Sequence, residues 1–447
     1  MNDNKTYYIE TFGCQMNIAD SEVVAAILEK SGYTASENME SAGLVLMNTC
    51  AVRENAEQRI WNKLEHFRGL RKKHKHMKLG ILGCMAQHVG EQFREHGSVD
   101  LVAGPDSYRQ LPRLLEDISK QEFVSDLELS RTETYENILP HRLDNSPVNG
   151  FVSITRGCNN FCSYCIVPYT RGRERSRKPS DILNEVKDLY ANNYHEVTLL
   201  GQNVNSYAWE DGGNALDFPD LLKLVADEFP TLRIRFTTSH PKDISDKLIE
   251  NMARGDNICR HIHLPVQSGS NKILKAMNRK YTREWYLDRV KKIKAVMPDC
   301  GISTDIFAGF PGETEEDHQQ SLDIMREVAY DSSFMFKYSE RPGTYAAANL
   351  NDDVPEDVKT RRLNELIELQ GKLSMKSNEE EVGKSYEIMI EGKSRRSDKE
   401  VFGRTCRNKL VIIPDNDFSP GDKVKVIINS CTSATLLGKQ LSYGKQN

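Results

Sequence analysis

Two series of alternating apolar strands and amphipathic helices set the architecture open to this 447-residue chain. In the first 120 residues YYIETFG, AGLVLMNT and KLGILG each read as a strand. Each precedes a stretch with apolar residues at helical spacing: SEVVAAILEKSGY, ENAEQRIWNKLEHF and QHVGEQFREH. Such alternation builds a parallel sheet. From residue 150 to about 340 it resumes, with FVSITRG, EVTLLGQNVN, RIRFTTS, HIHLPVQ, GISTDIFAGF and SSFMFKY as six strands. Six βα units predict an incomplete barrel with its site at the strands' carboxyl ends. The polar, proline-containing stretch 121–149 reads as a linker. Residues 355–381 read as one long helix with an apolar stripe of Val358, Leu363, Leu366, Ile367 and Leu369. Beyond Gly383 come the short strands SYEIMIEG, KLVIIP, KVKVIIN and ATLLGKQL, with turns at PDN and SPGD. They suit a small antiparallel barrel of a size common among RNA binders. The expected fold is therefore α/β in three parts: a doubly wound parallel-sheet domain (1–122), a partial (β/α)6 barrel (145–380) and a small antiparallel β-barrel (381–445).

Ten cysteines are distributed unevenly over this frame. Cys158, Cys162 and Cys165 crowd into TRGCNNFCSYC, just after the first barrel strand. A closed zinc site takes four ligands. Three thiolates in one tight loop suit three irons of a cubane 4Fe–4S cluster and leave the fourth iron open to a reactant; zinc with a distant fourth ligand is the alternative. The three strands of the first domain end at Cys14, Cys50 and Cys84, spaced by 36 and 34 residues. Ligand crevices in open parallel sheets lie beyond the strands' carboxyl ends, so topology would assemble a second set of three. Buried apolar packing is the competing role for each taken alone. Cys259, Cys300, Cys406 and Cys431 have no ligand spacing and read as structural. His261 and His263 read as core or pocket-wall residues.

The start, MNDNKTYYIE, lacks the basic and apolar regions of a signal peptide, and no apolar run has membrane-spanning length. A cytoplasmic protein with reduced thiols is expected. Net charge is −5, but residues 382–447 hold 12 Lys and Arg against 7 Asp and Glu, a local +5 that leaves −10 elsewhere. A basic end on an acidic body points to a polyanion contact through Lys393, Arg395, Arg396, Arg404, Arg407 and Lys409. The aromatics there (Tyr386, Phe402, Phe418, Tyr443) are few, which favours backbone grip over base stacking. Arg171, Arg173, Arg175 and Arg177 alternate, so an extended segment would set them on one face. They could grip phosphates, lock the loop onto acidic neighbours, or form a solvated charge run.

The cysteine loop, with Tyr164 before its last cysteine, resembles the radical S-adenosylmethionine (SAM) enzymes. TFGCQMNIADSE, NTCAVRENAE, ILGCMAQ, RGCNNFCSYCIVPYTRGRERSR and DIFAGFPGET narrow the resemblance, over nearly the whole chain, to the methylthiotransferases. GCQMN and PYTRGRERSR are most similar to the MiaB-type, tRNA-modifying branch. The ribosomal-protein branch typically has Pro-Lys after the first Gly-Cys and the threonylcarbamoyl-adenosine branch Lys-Val. The resemblance implies a SAM-binding 4Fe–4S cluster on Cys158, Cys162 and Cys165, and an auxiliary one on Cys14, Cys50 and Cys84. It implies SAM contacts from Tyr164, Gly201, Gln202, Asn203, Ser239, Gln267 and Asp305, although a Gly-Gln-Asn at a strand end is also an ordinary turn. It further implies a TRAM-type RNA-binding domain after residue 383.

The activity so implied is methylthiolation of isopentenyl-adenosine beside the anticodon. One SAM would methylate a sulfur carried by the auxiliary cluster, and a second would yield the radical that activates the ring carbon. The implied partners are the tRNA anticodon stem-loop, an electron donor such as flavodoxin or ferredoxin, and sulfur-supply proteins. No membrane partner is expected, and the chain is expected to be a monomer.

Overall fold

The computed structural model describes residues 5–51, 54–74, 76–143 and 148–441, with the side chains of 54–57 excluded. Its first sheet is parallel, with strands β1 (Thr6–Thr11), β2 (Thr34–Ala35), β3 (Leu44–Thr49), β4 (Lys78–Gly83), β5 (Leu101–Ala103) and β6 (Val124–Asp126) in the order β2-β1-β3-β4-β5-β6. Alternate residues of these strands feed two separate cores. Leu44, Leu46 and Leu82 pack with Val24, Ala25 and Leu28 of helix α1 (Gln15–Lys30). Val45, Met47 and Ile81 face Ile60, Leu64 and Phe67 of α2 (Glu54–Lys73) and Met85, Ala86 and Phe93 of α3 (Cys84–His96). The sheet is thus doubly wound, and its order reverses between β1 and β3, where such folds open a crevice.

The 121–149 stretch is not a plain linker. It supplies β6, and then Tyr135, whose hydroxyl donates to the Pro105 carbonyl at 2.7 Å and accepts from the Tyr108 amide at 3.1 Å. Its polarity hid this because only a few residues point inward.

The six barrel strands are β7 (Asn149–Ser153), β8 (Glu196–Leu200), β9 (Arg233–Thr237), β10 (His261–His263), β11 (Gly301–Ala308) and β12 (Ser332–Lys337). They form two parallel three-stranded sheets, β9-β8-β7 and β10-β11-β12. The halves meet through single bonds such as Cys259 N–H to Ile234 carbonyl, 2.8 Å. Val197, Leu199, Ile234, Phe236, Ile262, Ile302 and Ile306 face outward into the helix-covered core. The opposite face, toward the lumen, carries Glu196, Thr198, Arg233, Arg235, His263, Ser303 and Asp305, because side chains alternate along a strand.

Helix α4 (Glu356–Glu379) follows the barrel, but its buried stripe is mostly polar: Lys359, Arg362, Leu366, Gln370, Ser374 and Asn378. Of the expected apolar stripe Leu366 is buried and Ile367 is exposed. Lys359 and Arg362 pair with Asp352 and Glu313, while Gln370 donates to the Tyr330 carbonyl just before β12 and Asn378 to that of Thr432 in the third domain. That domain is a closed five-stranded barrel of β13 (Ser385–Ser394), β14 (Ser397–Arg404), β15 (Leu410–Pro414), β16 (Lys423–Cys431) and β17 (Leu436–Gln440). β14 was absent from the four expected strands, and β15 pairs with β17 in parallel while the other pairs are antiparallel. It seals the amino ends of the larger barrel: Arg233 donates to the Arg404 carbonyl (3.1 Å) and Arg235 to that of Thr405 (2.9 Å). Among the described residues no helix is long and apolar enough to cross a membrane.

Candidate functional site: two cysteine sets astride one buried turn

Cys14 caps α1, Cys50 follows β3 directly, and Cys84 opens α3. The parallel sheet brings them together at its carboxyl edge, Cys14 and Cys50 flanking the point of order reversal. Gly13 packs so tightly on Cys50 that a Cβ there would lie 2.4 Å from the cysteine's own Cβ. A hydrogen bond from Cys50 brings the Cys14 thiol down to about 6, against burial and with help from the charge of Arg171. Burial instead raises Cys84, and the nearby Cys14 adds to this.

The second set lies on the loop after β7. Gly157, with φ +76°, admits the loop: a Cβ there would fall 2.1 Å from the Arg173 carbonyl. Phe161 also takes a left-handed φ of 48°, and its carbonyl is held by the Asn278 amide at 2.8 Å. Ser163 hydrogen-bonds to the Met277 and Ala276 carbonyls. Burial, then the neighbouring Cys162, pushes Cys165 up to about 12, and burial raises Cys158. Such thiols keep their protons until a cation replaces them. Among the described residues no three His, Cys, Asp or Glu side chains converge on a single metal ion. Ligands of a cubane each take a separate iron and need not converge on one point.

One turn joins the two sets. Ile166, next after Cys165, packs into the first domain's core beside α3. Five residues on, the Arg171 guanidinium donates from Nε to Cys84 Sγ (3.1 Å) and from Nη2 to Asn17 (3.0 Å) and Asp20 (2.9 Å). Asp20 also binds Arg156 at 2.6 Å; despite burial, Arg156 and Arg171 hold its carboxyl below the usual range. Arg175 pairs with Asp106 at 2.8 Å and Arg177 with Glu185 at 2.6 Å. Three of the four alternating arginines therefore lock the loop onto acidic neighbours, which removes them as phosphate ligands. Arg173 alone is exposed, 4.4 Å over the Phe161 ring. Asp20, Asp106 and Arg156 carried no sequence signal, since their partners lie in another domain.

At the carboxyl ends of the barrel strands, Gln202 Oε1, Asn203 Oδ1, Ser239 Oγ and Gln267 Oε1 are buried without a hydrogen-bond partner. Buried polar atoms are normally satisfied, so four unpartnered oxygens at the same end of the barrel strands suit a ligand rich in N–H and O–H groups. Asn203 is oriented by its amide's bond to Asp243 at 2.7 Å. Gly201 is tied by its N–H to the Thr237 carbonyl at 3.1 Å. Gln267, at φ +69°, joins β11 through Asp305 and Phe307. Asp305 lies 3.5 Å from His263 Nε2. Tyr164 packs its ring 4.9 Å from Phe307, beside the cysteine loop.

Of the six basic residues assigned to polyanion contact, four are engaged within the protein. Arg407 pairs with Glu381 (2.7 Å) and Asp331, and buried Lys409 bonds to Ser377. Lys393 pairs with Asp415 and Arg404 with Glu391 at the surface. Arg395 and Arg396 are exposed at the β13–β14 turn. Tyr443 lies outside the described residues. Cys259 is buried, and its hydrogen bond lowers the exposed Cys406 thiol to about 6.

Comparison with known proteins settles the relationship. A protein of Bacteroides fragilis named tRNA-2-methylthio-N(6)-dimethylallyladenosine synthase is 57% identical over 440 residues, covering 98% of this chain and 96% of its own length. The chain belongs to the tRNA-2-methylthio-N(6)-dimethylallyladenosine synthase family. Proteins of the same name from Parabacteroides distasonis and Porphyromonas gingivalis are 55% identical, over 98% and 97% of this chain and 96% and 94% of theirs. Family models match at residues 6–104 (Uncharacterized protein family UPF0004), 152–325 (Radical SAM superfamily) and 379–441 (TRAM domain). Among solved structures, the radical SAM methyltransferase TsrM of Kitasatospora setae, with cobalamin and a 4Fe–4S cluster bound, superposes with TM-score 0.59 at 14% identity over 77% of each chain. That likeness concerns the fold.

Proposed function

We propose that this chain is a tRNA-2-methylthio-N(6)-dimethylallyladenosine synthase, which inserts sulfur and a methyl group at the ring carbon of isopentenyl-adenosine beside the anticodon. Full-length similarity to proteins of that name carries the reading. The two cysteine sets joined by one buried turn supply the physical rationale. Cys158, Cys162 and Cys165 would hold the SAM-binding 4Fe–4S cluster, and Cys14, Cys50 and Cys84 the auxiliary one. When bound, the clusters and SAM supply one-electron cleavage of a sulfonium and a carrier for sulfur, chemistry no side chain offers at an unactivated C–H bond.

The chain's own residues position and exclude. The Ser163 and Asn278 hydrogen bonds fix the cysteine loop, so its thiolates share one geometry. Gln202, Asn203, Ser239 and Gln267, whose buried oxygens lack partners, would hold the polar groups of SAM, and Tyr164 would add apolar contact beside the cysteine loop. The Arg171 bridge ties the cysteine loop of the central domain to Cys84, Asn17 and Asp20 of the first domain. Exposed Arg173, Arg395 and Arg396 are available to tRNA phosphates. A cytoplasmic monomer served by a flavodoxin- or ferredoxin-type donor and by sulfur-supply proteins completes the proposal.

The test is nucleoside mass spectrometry after anaerobic incubation of the loaded full chain with isopentenylated tRNA, SAM and reductant. The methylthio nucleoside should appear with two equivalents of SAM consumed. Methylthiolation of threonylcarbamoyl-adenosine instead, or SAM cleavage with neither product, would overturn the assignment.

A further inference from the structure

Away from both cysteine sets, two further thiols meet where the small barrel seals the amino ends of the large one. Cys259 lies two residues before β10, fully buried, with its N–H fixed on the Ile234 carbonyl at 2.8 Å. Cys406 is exposed on the turn between β14 and β15. That turn is closed on itself by the Asn408 N–H to the Thr405 carbonyl (2.9 Å) and the Thr405 N–H to the Lys409 carbonyl (3.1 Å). The large barrel grips it, since Arg235 donates to the carbonyls of Thr405 (2.9 Å) and Cys406 (3.4 Å). Gly301 admits it, because a Cβ there would lie 3.0 Å from the Arg407 carbonyl. So held, the two thiols share a hydrogen bond across the boundary between the barrels. Arg233 and Arg235 have one carboxylate between them, Glu196 at 3.9 and 2.8 Å, while Arg404 pairs with Glu391. The Cys259 hydrogen bond, then the charges of Arg233 and Arg235, bring the Cys406 thiol down to about 6 against its partial burial, whereas burial holds that of Cys259 well above its usual value. His261 is pushed down to about 3 by burial and then by Arg235, so it takes no proton from either thiol. An accessible thiolate beside a second, protonated thiol is the arrangement of a reactive cysteine and its resolving partner.

We propose that Cys406 and Cys259 are an oxidisable pair that a hydroperoxide closes into a disulfide, tying the small barrel to the large one. The Cys406 thiolate attacks the terminal oxygen of the hydroperoxide: an S–O bond forms, the O–O bond breaks, and the alkoxide or hydroxide released takes up a proton. The Cys259 sulfur then displaces hydroxide from the Cys406 sulfenic acid, and that hydroxide leaves as water with the Cys259 proton. Two thiols lose two electrons and the hydroperoxide gains them; a thiol reductant returns them and reopens the bond. Cys259 and Cys406 are not among the six cysteines assigned to clusters, so closure uses none of those ligands. It adds a covalent tie one residue from the Arg407–Glu381 pair that already clasps the third domain. Cytosolic disulfides are usually transient and redox-sensing, and this one has an accessible sulfur on one side only.

The experiment treats the anaerobically reconstituted full chain with a slight molar excess of hydrogen peroxide, blocks free thiols with N-ethylmaleimide in denaturant, and digests with trypsin without reduction. Mass spectrometry should find the peptide 255–260 linked to 405–407, absent without peroxide and lost after dithiothreitol. Cys259→Ala should leave Cys406 as a sulfenic acid that dimedone labels, and Cys406→Ser should leave Cys259 as a free thiol. In the reduced parent, iodoacetamide labelling of Cys406 should rise with a midpoint at about pH 6, which Cys259→Ala should move upward. If Cys259→Ala does not fold, Cys406→Ser at the exposed position decides, through loss of the linked peptide. Both peptides recovered fully alkylated after peroxide would overturn the proposal. So would a Cys406 sulfenic acid that persists unlinked in the parent, or Cys406 joined to one of the six cluster cysteines in place of Cys259.

Discussion

At the scale of single residues, backbone geometry around the thiols sets the tightest constraints. Gly157 combines a left-handed φ with a carbonyl 2.1 Å from where a Cβ would sit. Gly157→Ala should cost about 1–3 kcal/mol or more and lower iron uptake, read by thermal melting and iron assay. Glu313 supplies a pH prediction. Burial lifts its carboxyl to about 7, opposed by the Gly309 amide and the Arg362 guanidinium and assisted by Asp317. The folded state then holds a proton that the unfolded state releases near its ordinary value of about 4.3. Stability should fall as pH rises from there to about 7, and Glu313→Gln should flatten that slope in denaturant titrations at stepped pH. The six clustered or strand-end cysteines were legible in the sequence because spacing and strand rhythm announce them.

Among elements, the joint between the first sheet and the cysteine loop matters most. Asp20 on α1 holds two guanidiniums from the central domain, and removing its charge strands both in a buried site. Asp20→Asn should cost roughly 3–5 kcal/mol in chemical denaturation. It should also broaden the auxiliary cluster's spectroscopic signature, since Arg171 loses its anchor beside Cys84. The strand–helix rhythm revealed the parallel sheet and all six barrel strands, since each is a short apolar or alternating run set between helical stretches. β6 escaped notice as three residues in a polar stretch, and the α4 stripe was misplaced because that helix buries polar groups that cap carbonyls or pair with carboxylates. The alternating arginines were visible, but the direction of Arg171 and Arg175 was set by Asp20 and Asp106, far away in sequence.

For the whole molecule, the basic third domain divides into a clasp and a contact surface. Arg407→Ala would leave Asp331 and buried Glu381 short of a partner, so it should lower the unfolding midpoint and loosen that domain from the barrel, seen as faster hydrogen exchange in β15. Arg395→Ala with Arg396→Ala should leave stability unchanged and reduce the slope of log K for tRNA against log salt by up to about 0.7–0.9 per lost phosphate contact. The central claim is that two three-thiolate sets each hold a cluster with one iron free of protein ligands. The most direct measurement is iron content with Mössbauer spectroscopy of anaerobically reconstituted parent protein and of two triple alanine variants, one for Cys14, Cys50 and Cys84 and one for Cys158, Cys162 and Cys165. The parent should bind about eight irons, and each variant about half that, with one iron in each remaining cluster shifting on addition of a small ligand. Parental iron content in either variant, or clusters whose irons all carry protein thiolates, would contradict the account.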